Sequence, residues 1–233
     1  DVERSRGLGD VYKRQVLSDS LELDEDWQPM YRDSKQSQGL AWDGCISDGS
    51  LWVMDNGDIE SVRSIYGVNP NGRVAENTHL SWRNPAPWKG KQRLIKLDLT
   101  TSEMMAIEPF DKDGGGIIAP PVNVPEFQVC IAWDSINGGL AGISSKDQNL
   151  SVSWHLDARP TMQPVVFPES GELVINNYEN GEDELIVVDV SSGELLSRVK
   201  VNARLANGMF LTPGLNRDIF YCTTGTFSKV TWI

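Results

Sequence analysis

The 233-residue sequence has 21 Lys and Arg residues against 33 Asp and Glu residues, a formal net charge of −12. Such an acidic chain repels nucleic acid and anionic membrane surfaces, so we expect neither as a partner. No apolar run approaches the roughly 18 residues of a spanning helix, so we expect no membrane span. The three cysteines match no zinc-site spacing.

The first segment, residues 1–15, is interpreted as non-native. Its stretch "SRGLGDVYKRQ", from Ser5 to Gln15, resembles the translation of a transposase adapter used to build sequencing libraries. A phosphate-binding glycine loop would need a preceding buried strand and a following helix. A segment of this origin is not expected to contribute to the fold. We therefore expect the natural N-terminus to be missing, which leaves the compartment open, with a periplasmic or secreted location favoured.

The remaining chain, residues 16–233, repeats itself. The stretch "DARPTMQPVVFP" matches "NARLANGMFLTP" at an offset of 45, and "LIKLDLTTSE" matches "LIVVDVSSGE" at 91, close to two periods. A fixed period of this size is typical of stacked repeat architectures. The predicted units are 38–110, 111–157, 158–202 and a shortened 203–233.

Each unit is predicted to contain up to four short strands. Apolar runs such as "VCIAW", "LVIN" and "ELIVVDV" are bounded by Gly, Asn and Asp, which is the signal of strands joined by tight turns. Four antiparallel strands in roughly 45 residues form one blade of a β-propeller. The predicted fold is all-β, an incomplete β-propeller with about four four-stranded blades of a larger ring. Val16–Trp27 is interpreted as the last strand of a lost unit.

Two hairpin sequences support a named resemblance. "LIVVDVSSGELLSRV" and "RLIKLDLTTSEMMAI" resemble the third-to-fourth strand hairpins of the quinoprotein-like (PQQ-repeat) and YVTN-type β-propellers. The resemblance covers roughly residues 38–233. It implies a propeller fold, and it admits dehydrogenases, lyases, lactonases and binding scaffolds alike.

A long insertion, residues 58–90, interrupts the first unit between its second and third strands. It includes His79, Trp82 and Trp88. A connection this long in a compact domain is either functional or disordered, and aromatic residues favour packing. We expect a lid across the ligand face; packing against a neighbouring blade or a partner is the alternative.

In propellers, the second-to-third and fourth-to-first strand connections share one face, where ligands bind by fold analogy. Arginines at the same place in two blades could bind a carboxylate or phosphate on this face, and clustered Asp and Asn oxygens could bind Ca²⁺. The alternative is that Asp and Asn cap turns while the arginines tie blades together. The predicted ligand-binding residues are Asp55, Asp58, Trp82, Trp88, Asp134, Arg159, Asn177 and Arg204.

The predicted function is a ligand-binding or interaction scaffold for a small polar ligand or a protein partner. The alternative is an enzyme, either a quinoprotein-like dehydrogenase or a metal-dependent lactonase-type hydrolase. The cofactors considered are Ca²⁺ and, through the resemblance, PQQ; no specific motif selects either. No catalytic residue is assigned.

Overall fold

The computed structural model describes residues 41–56, 90–113, 115–116, 119–146, 149–179, 182–203, 210–222 and 227–232. The predicted non-native segment 1–15, the strand predicted at Val16–Trp27 and nearly all of the insertion 58–90 lie outside these residues.

The described chain consists of short strands that follow one another in four groups. The first group is β1 (Ala41–Ser47), β2 (Ser50–Asp55), β3 (Arg93–Asp98) and β4 (Met104–Ile107). The second is β5 (Val122–Val124), β6 (Val129–Trp133), β7 (Leu140–Ser144) and β8 (Ser151–Leu156). The third is β9 (Val165–Phe167), β10 (Glu172–Glu179), β11 (Glu182–Asp189) and β12 (Leu195–Ala203). The fourth is β13 (Phe210–Pro213), β14 (Asp218–Cys222) and β15 (Phe227–Thr231).

Each group forms its own antiparallel sheet, with the strands hydrogen-bonded in chain order. The first three sheets have four strands and the fourth has three within the described residues. The first strands of adjacent sheets contact each other, β1 against β5 and β9 against β13. Successive antiparallel sheets arranged in this way are the blades of a β-propeller, which confirms the predicted fold class. We refer to the four sheets as blades 1 to 4.

The hydrophobic core lies between the blades. In β10, Leu173 and Ile175 join a cluster shared with blades 1 and 2, whereas Val174, between them, joins a cluster shared with blade 4. Successive side chains of a strand point to opposite faces of the sheet. Because both faces of blade 3 are covered, its central strands are apolar at successive positions rather than at alternate ones.

Trp154 joins blade 2 to blade 3. Its indole Nε1 donates a hydrogen bond of 2.9 Å to the carbonyl oxygen of Val190. The ring lies between two glycines: a methyl group on Gly142 would collide with it, and one on Gly193 would lie 2.6 Å from it. Both positions therefore require glycine, because any Cβ would displace the ring that holds the two blades together.

The repeated sequences "LDLTTSE" and "VDVSSGE" form the same turn. Asp98 Oδ1 accepts hydrogen bonds from the backbone of Thr100 and Thr101, as Asp189 Oδ1 does from Ser191 and Ser192. These backbone donors hold the pKa of Asp98 below its ordinary value. The repeat therefore extends to the hydrogen bonds of individual turns.

This turn contains a left-handed residue in both blades, and blade 1 has serine there. The backbone φ is 60° at Ser102 and 74° at Gly193. We expect Ser102→Gly to stabilise the protein by about 0.5–1 kcal/mol, because glycine adopts this conformation without the Cβ penalty. In urea unfolding, the neighbouring control Thr100→Gly should destabilise, since φ at residue 100 is not positive. A loss of stability in Ser102→Gly would contradict the left-handed backbone conformation of residue 102.

Candidate functional site

Buried polar residues collect at one end of the blades, where β2, β6 and β10 end and β3, β7 and β11 begin. Asp55, Asp134 and Asn177 of the predicted site are among them. We call this set the polar rim. It comprises Asp55, Asn56, Gln92, Asp134, Asn176, Asn177 and Asp183, all less than one tenth exposed.

In blade 3, two rim asparagines hold the connection that arrives from blade 2. Asn176 Oδ1 accepts hydrogen bonds from the backbone N–H groups of Thr161 and Met162, both at 3.0 Å. Asn177 Oδ1 accepts one from Arg159 N at 2.7 Å, and its Nδ2 donates to Glu184 Oε1 at 2.9 Å. The side chain of Asn177 therefore fixes the connecting backbone, which agrees with the alternative that these Asp and Asn residues have a structural role.

A second set of bonds ties blade 3 to blade 4. Asp183 accepts hydrogen bonds from Asn176 Nδ2 at 3.1 Å and from the hydroxyl of Tyr221 in β14. Burial raises the pKa of Asp183, and burial beside this carboxylate raises the pKa of Tyr221 far above its ordinary value. The Tyr221 hydroxyl therefore remains a neutral hydrogen-bond donor.

In blade 2, Asp134 has two differently placed oxygens. Its Oδ1 accepts backbone hydrogen bonds from Gly116 at 3.1 Å, Ile136 at 2.9 Å and Asn137 at 3.1 Å. Its Oδ2 is buried and has no hydrogen-bond partner among the described residues. One oxygen thus anchors the connection from blade 1, and the other is available for a further interaction.

In blade 1, the rim lies where the insertion leaves and rejoins the sheet. Asp55 forms an ion pair with Arg93 in the adjacent strand, with Arg93 Nε at 3.2 Å from Asp55 Oδ2. Gln92 Nε2 donates to Asn56 Oδ1 at 2.8 Å. These bonds fix the two ends of the insertion side by side, and Asp55 is engaged by an arginine of its own blade.

Arg159 lies on the connection from blade 2 to blade 3, and its side chain is exposed. Its backbone is fixed on both sides, because its N–H donates to Asn177 Oδ1 and its carbonyl accepts from Tyr178 N at 3.0 Å. Its guanidinium lies beside the turn containing Gly138, with Nε 3.6 Å from the position of a methyl group on that residue. An exposed side chain is thus carried on a backbone that is held by hydrogen bonds on both sides.

The four described members of the predicted site follow one continuous series of contacts. Asp55 precedes Asn56, which binds Gln92. Gln92 and Asp134 both approach Gly115. The turn after Asp134 binds Ala158, and Arg159 binds Asn177. The other predicted residues, Asp58, Trp82, Trp88 and Arg204, lie outside the described residues.

The sequence analysis did not select Gln92, Asn176, Asp183 or Tyr221. A signal existed for Asn176: like Asp134, it directly follows the apolar residues of a second strand, and it accepts N–H groups from the preceding connection. Gln92, Asp183 and Tyr221 offered no such signal, because their partners belong to other strands or other blades.

Two observations concern metals and membranes. Within the described residues, no group of three or more His, Cys, Asp or Glu side chains is placed to hold a metal ion. No helix in that part of the chain is long and apolar enough to cross a membrane.

Comparison with known proteins gave no matching family model and no matching curated protein. Solved structures with similarity include an acylaminoacyl peptidase from Pyrococcus horikoshii, at 12% identity and a TM-score of 0.45, covering 83% of this chain and 32% of that one. A europium-containing methanol dehydrogenase is 9% identical with a TM-score of 0.44, and the match covers 70% of this chain and 26% of that one. The β-propeller domain of the Trilobed protease from Pyrococcus furiosus is 9% identical with a TM-score of 0.43, and the match covers 84% of this chain and 58% of that one.

The chain thus spans between 26% and 58% of these three structures. Their identities and TM-scores are too low to transfer an activity, and the fold is established by the order and pairing of the strands. On that ground the chain is a β-propeller.

Proposed function

We propose that the chain is a ligand-binding scaffold, and that Arg159 at the polar rim binds an acidic group of its ligand. The observation that supports this is the pairing of the described arginines. Arg93 pairs with Asp55, Arg198 with Glu184 and Arg217 with Glu172. Arg159 forms no hydrogen bond or ion pair through its side chain within the described residues.

The placement of Arg159 suits recognition. A guanidinium binds a carboxylate through two parallel hydrogen bonds, and a backbone that is already ordered reduces the entropy cost of binding. Because the chain has a net charge of −12, a bare polyanion is disfavoured. We therefore propose a small polyhydroxylated ligand with one carboxylate, such as a sugar acid; an acidic side chain of a protein partner is the alternative.

The test is a calorimetric titration of the chain with D-glucuronate. A second titration with D-glucose serves as the neutral counterpart. We expect Arg159→Ala to weaken glucuronate binding roughly 10–100-fold, because a hydrogen bond to a charged group contributes about 1.5–3 kcal/mol. Arg159→Lys should recover only part of the affinity, since lysine lacks the planar pair of donors.

The matched control is Arg198→Ala, which removes an equally charged and largely exposed side chain. Equal affinities in the wild type and the Arg159 variants, or equal binding of glucose, would remove the proposal. Conversion of the ligand during the titration would instead support the enzymatic alternative, a dehydrogenase or a lactonase-type hydrolase.

A further inference from the structure

Two of the three cysteines lie on facing sides of blades 1 and 2. Cys45, in β1, is half-buried, and Cys130, in β6, is 0% exposed. Both are free thiols in the structure, and the side chain of Cys45 packs against the hydrophobic cluster that contains Cys130. The packing of the two blades thus brings together two nucleophilic groups that are far apart in the chain.

The pairing of the strands fixes the direction of the Cys130 side chain. Residues directly opposite each other in an antiparallel pair have their side chains on one face of the sheet, and Cys130 is opposite Asn123. Asn123 Nδ2 donates a hydrogen bond of 3.0 Å to Ser47 Oγ in blade 1. The other face of blade 2 carries Trp154, which bonds to Val190 of blade 3. The thiol of Cys130 therefore points towards blade 1.

Cys45 approaches the same place from blade 1. It lies two residues before Ser47 in β1, so the two side chains are on one face of the strand. Burial raises the pKa of Cys45, and a hydrogen bond from the backbone N–H of Asn123 to its sulfur opposes that rise. Burial also raises the pKa of Cys130, and the neighbouring Cys45 raises it further. The two sulfur atoms thus lie on either side of Asn123.

We propose that Cys45 and Cys130 form a disulfide bond between blades 1 and 2 when the folded protein meets a small disulfide such as oxidised glutathione. In the first step, the Cys45 thiolate attacks one sulfur of the reagent, and a mixed disulfide forms as one glutathione leaves with the proton. In the second, Cys130 loses its proton and attacks the Cys45 sulfur, which releases the second glutathione. The two cysteines together lose two electrons, and the reagent gains two.

The positions of the two thiols suit these two steps. Cys45 is partly open to solvent, so a small disulfide can reach its sulfur. Cys130 is closed to solvent, so the group it can attack is one carried on a neighbouring side chain. The proposal concerns covalent modification and does not depend on Arg159, so each proposal can fail without the other.

The first measurement is oxidation of the folded 233-residue chain by glutathione disulfide at pH 8.5, without denaturant. This pH is chosen because burial raises the pKa of Cys45 and only its thiolate attacks the reagent. We expect a thiol assay to find one remaining thiol of the three. Mass spectrometry after tryptic digestion should show the peptides of residues 36–63 and 113–146 joined by a disulfide.

The second measurement is thermal unfolding of the oxidised chain. A bond between residues 45 and 130 closes a long loop, so we expect the Tm to rise by roughly 5–15 °C and dithiothreitol to reverse the rise. Cys45→Ser and Cys130→Ala should show no rise. Because Cys130 is fully buried, Cys45→Ser carries the test if Cys130→Ala does not fold. The matched control is Cys222→Ser, which removes another half-buried free thiol, in blade 4, and should keep the full rise.

Three results would overturn the proposal. In the first, the folded wild-type chain keeps all three thiols in glutathione disulfide. In the second, Cys45 ends as a stable mixed disulfide with glutathione, which would show that Cys130 cannot reach it. In the third, the linked peptides contain Cys222, or peptides 36–63 and 113–146 become linked only after the chain is unfolded in urea.

Discussion

Replacing Trp154 with alanine is expected to lower the free energy of unfolding by about 3–5 kcal/mol. Trp154 is 7% exposed and is bonded to Val190 in the next blade. Its removal leaves a cavity between Gly142 and Gly193, two residues that have no side chains with which to fill it. The loss therefore combines burial, packing and one interblade hydrogen bond, and urea unfolding followed by tryptophan fluorescence measures it.

A second substitution at residue 154 separates the hydrogen bond from the buried ring, and a substitution on the surface serves as the control. Trp154→Phe keeps most of the buried ring and loses the N–H group, so we expect a loss of about 1–2 kcal/mol. Leu215→Ala is the control for a large apolar side chain that is 100% exposed, and it should change stability by less than about 0.5 kcal/mol. A Trp154→Ala variant within about 1 kcal/mol of the wild type would show that blades 2 and 3 do not depend on this contact.

Replacing Asn176 with aspartate is expected to cost on the order of 3–5 kcal/mol at pH 7. The new carboxylate keeps the oxygen that accepts from Thr161 N and Met162 N, but it loses the N–H group that donates to Asp183. Residues 176 and 183 are 0% and 1% exposed, so two buried carboxylates would face each other.

The loss in Asn176→Asp should depend on pH in a defined direction. Burial already raises the pKa of Asp183, and a neighbouring carboxylate raises it further. The folded state then holds a proton that the unfolded chain releases above about pH 4, so stability falls as the pH rises from there and levels off above the folded pKa. Urea unfolding at pH 4.5 and pH 8 should show the larger loss at pH 8.

Asn177→Asp is the matched control, because it also places a carboxylate beside another, Glu184. The side chain of Glu184 is 15% exposed and lies 3.9 Å from Arg198, so the expected loss is smaller and depends less on pH. Equal losses in the two variants, or a loss in Asn176→Asp that does not change between pH 4.5 and pH 8, would contradict the buried contact between residues 176 and 183.

The fold could be predicted from the sequence because its signals are local. The strand runs, the turn residues and their recurrence each depend on neighbouring residues. The hairpins of blades 1 and 3 even repeat the hydrogen bonds made by Asp98 and Asp189. The matching stretches near residues 94 and 185 therefore identified the same structure in two places.

The candidate site could be predicted only in part, because spacing does not specify the direction of a hydrogen bond. The sequence analysis placed both Asp134 and Asn177 in connections between strands. In the structure Asp134 directly follows β6, whereas Asn177 lies within β10. The sequence did not reveal that Asn177 binds the backbone of Arg159, or that Asp134 accepts a hydrogen bond from the backbone of Gly116. Such partners lie on different strands, and only the packing of the blades brings them together.

The burial of both faces of blade 3 has a consequence for how β10 and β11 find their alignment. In a sheet with one wet face, a slip of one residue exposes the apolar side chains, so hydrophobicity alone sets the register. Here a slipped strand would still bury apolar groups on either side. Asn176 and Asp183 remove this ambiguity, because their bonds form only when the pairing opposes Tyr178 to Asp183. These two residues of the polar rim therefore select one strand alignment from several that bury similar amounts of apolar surface.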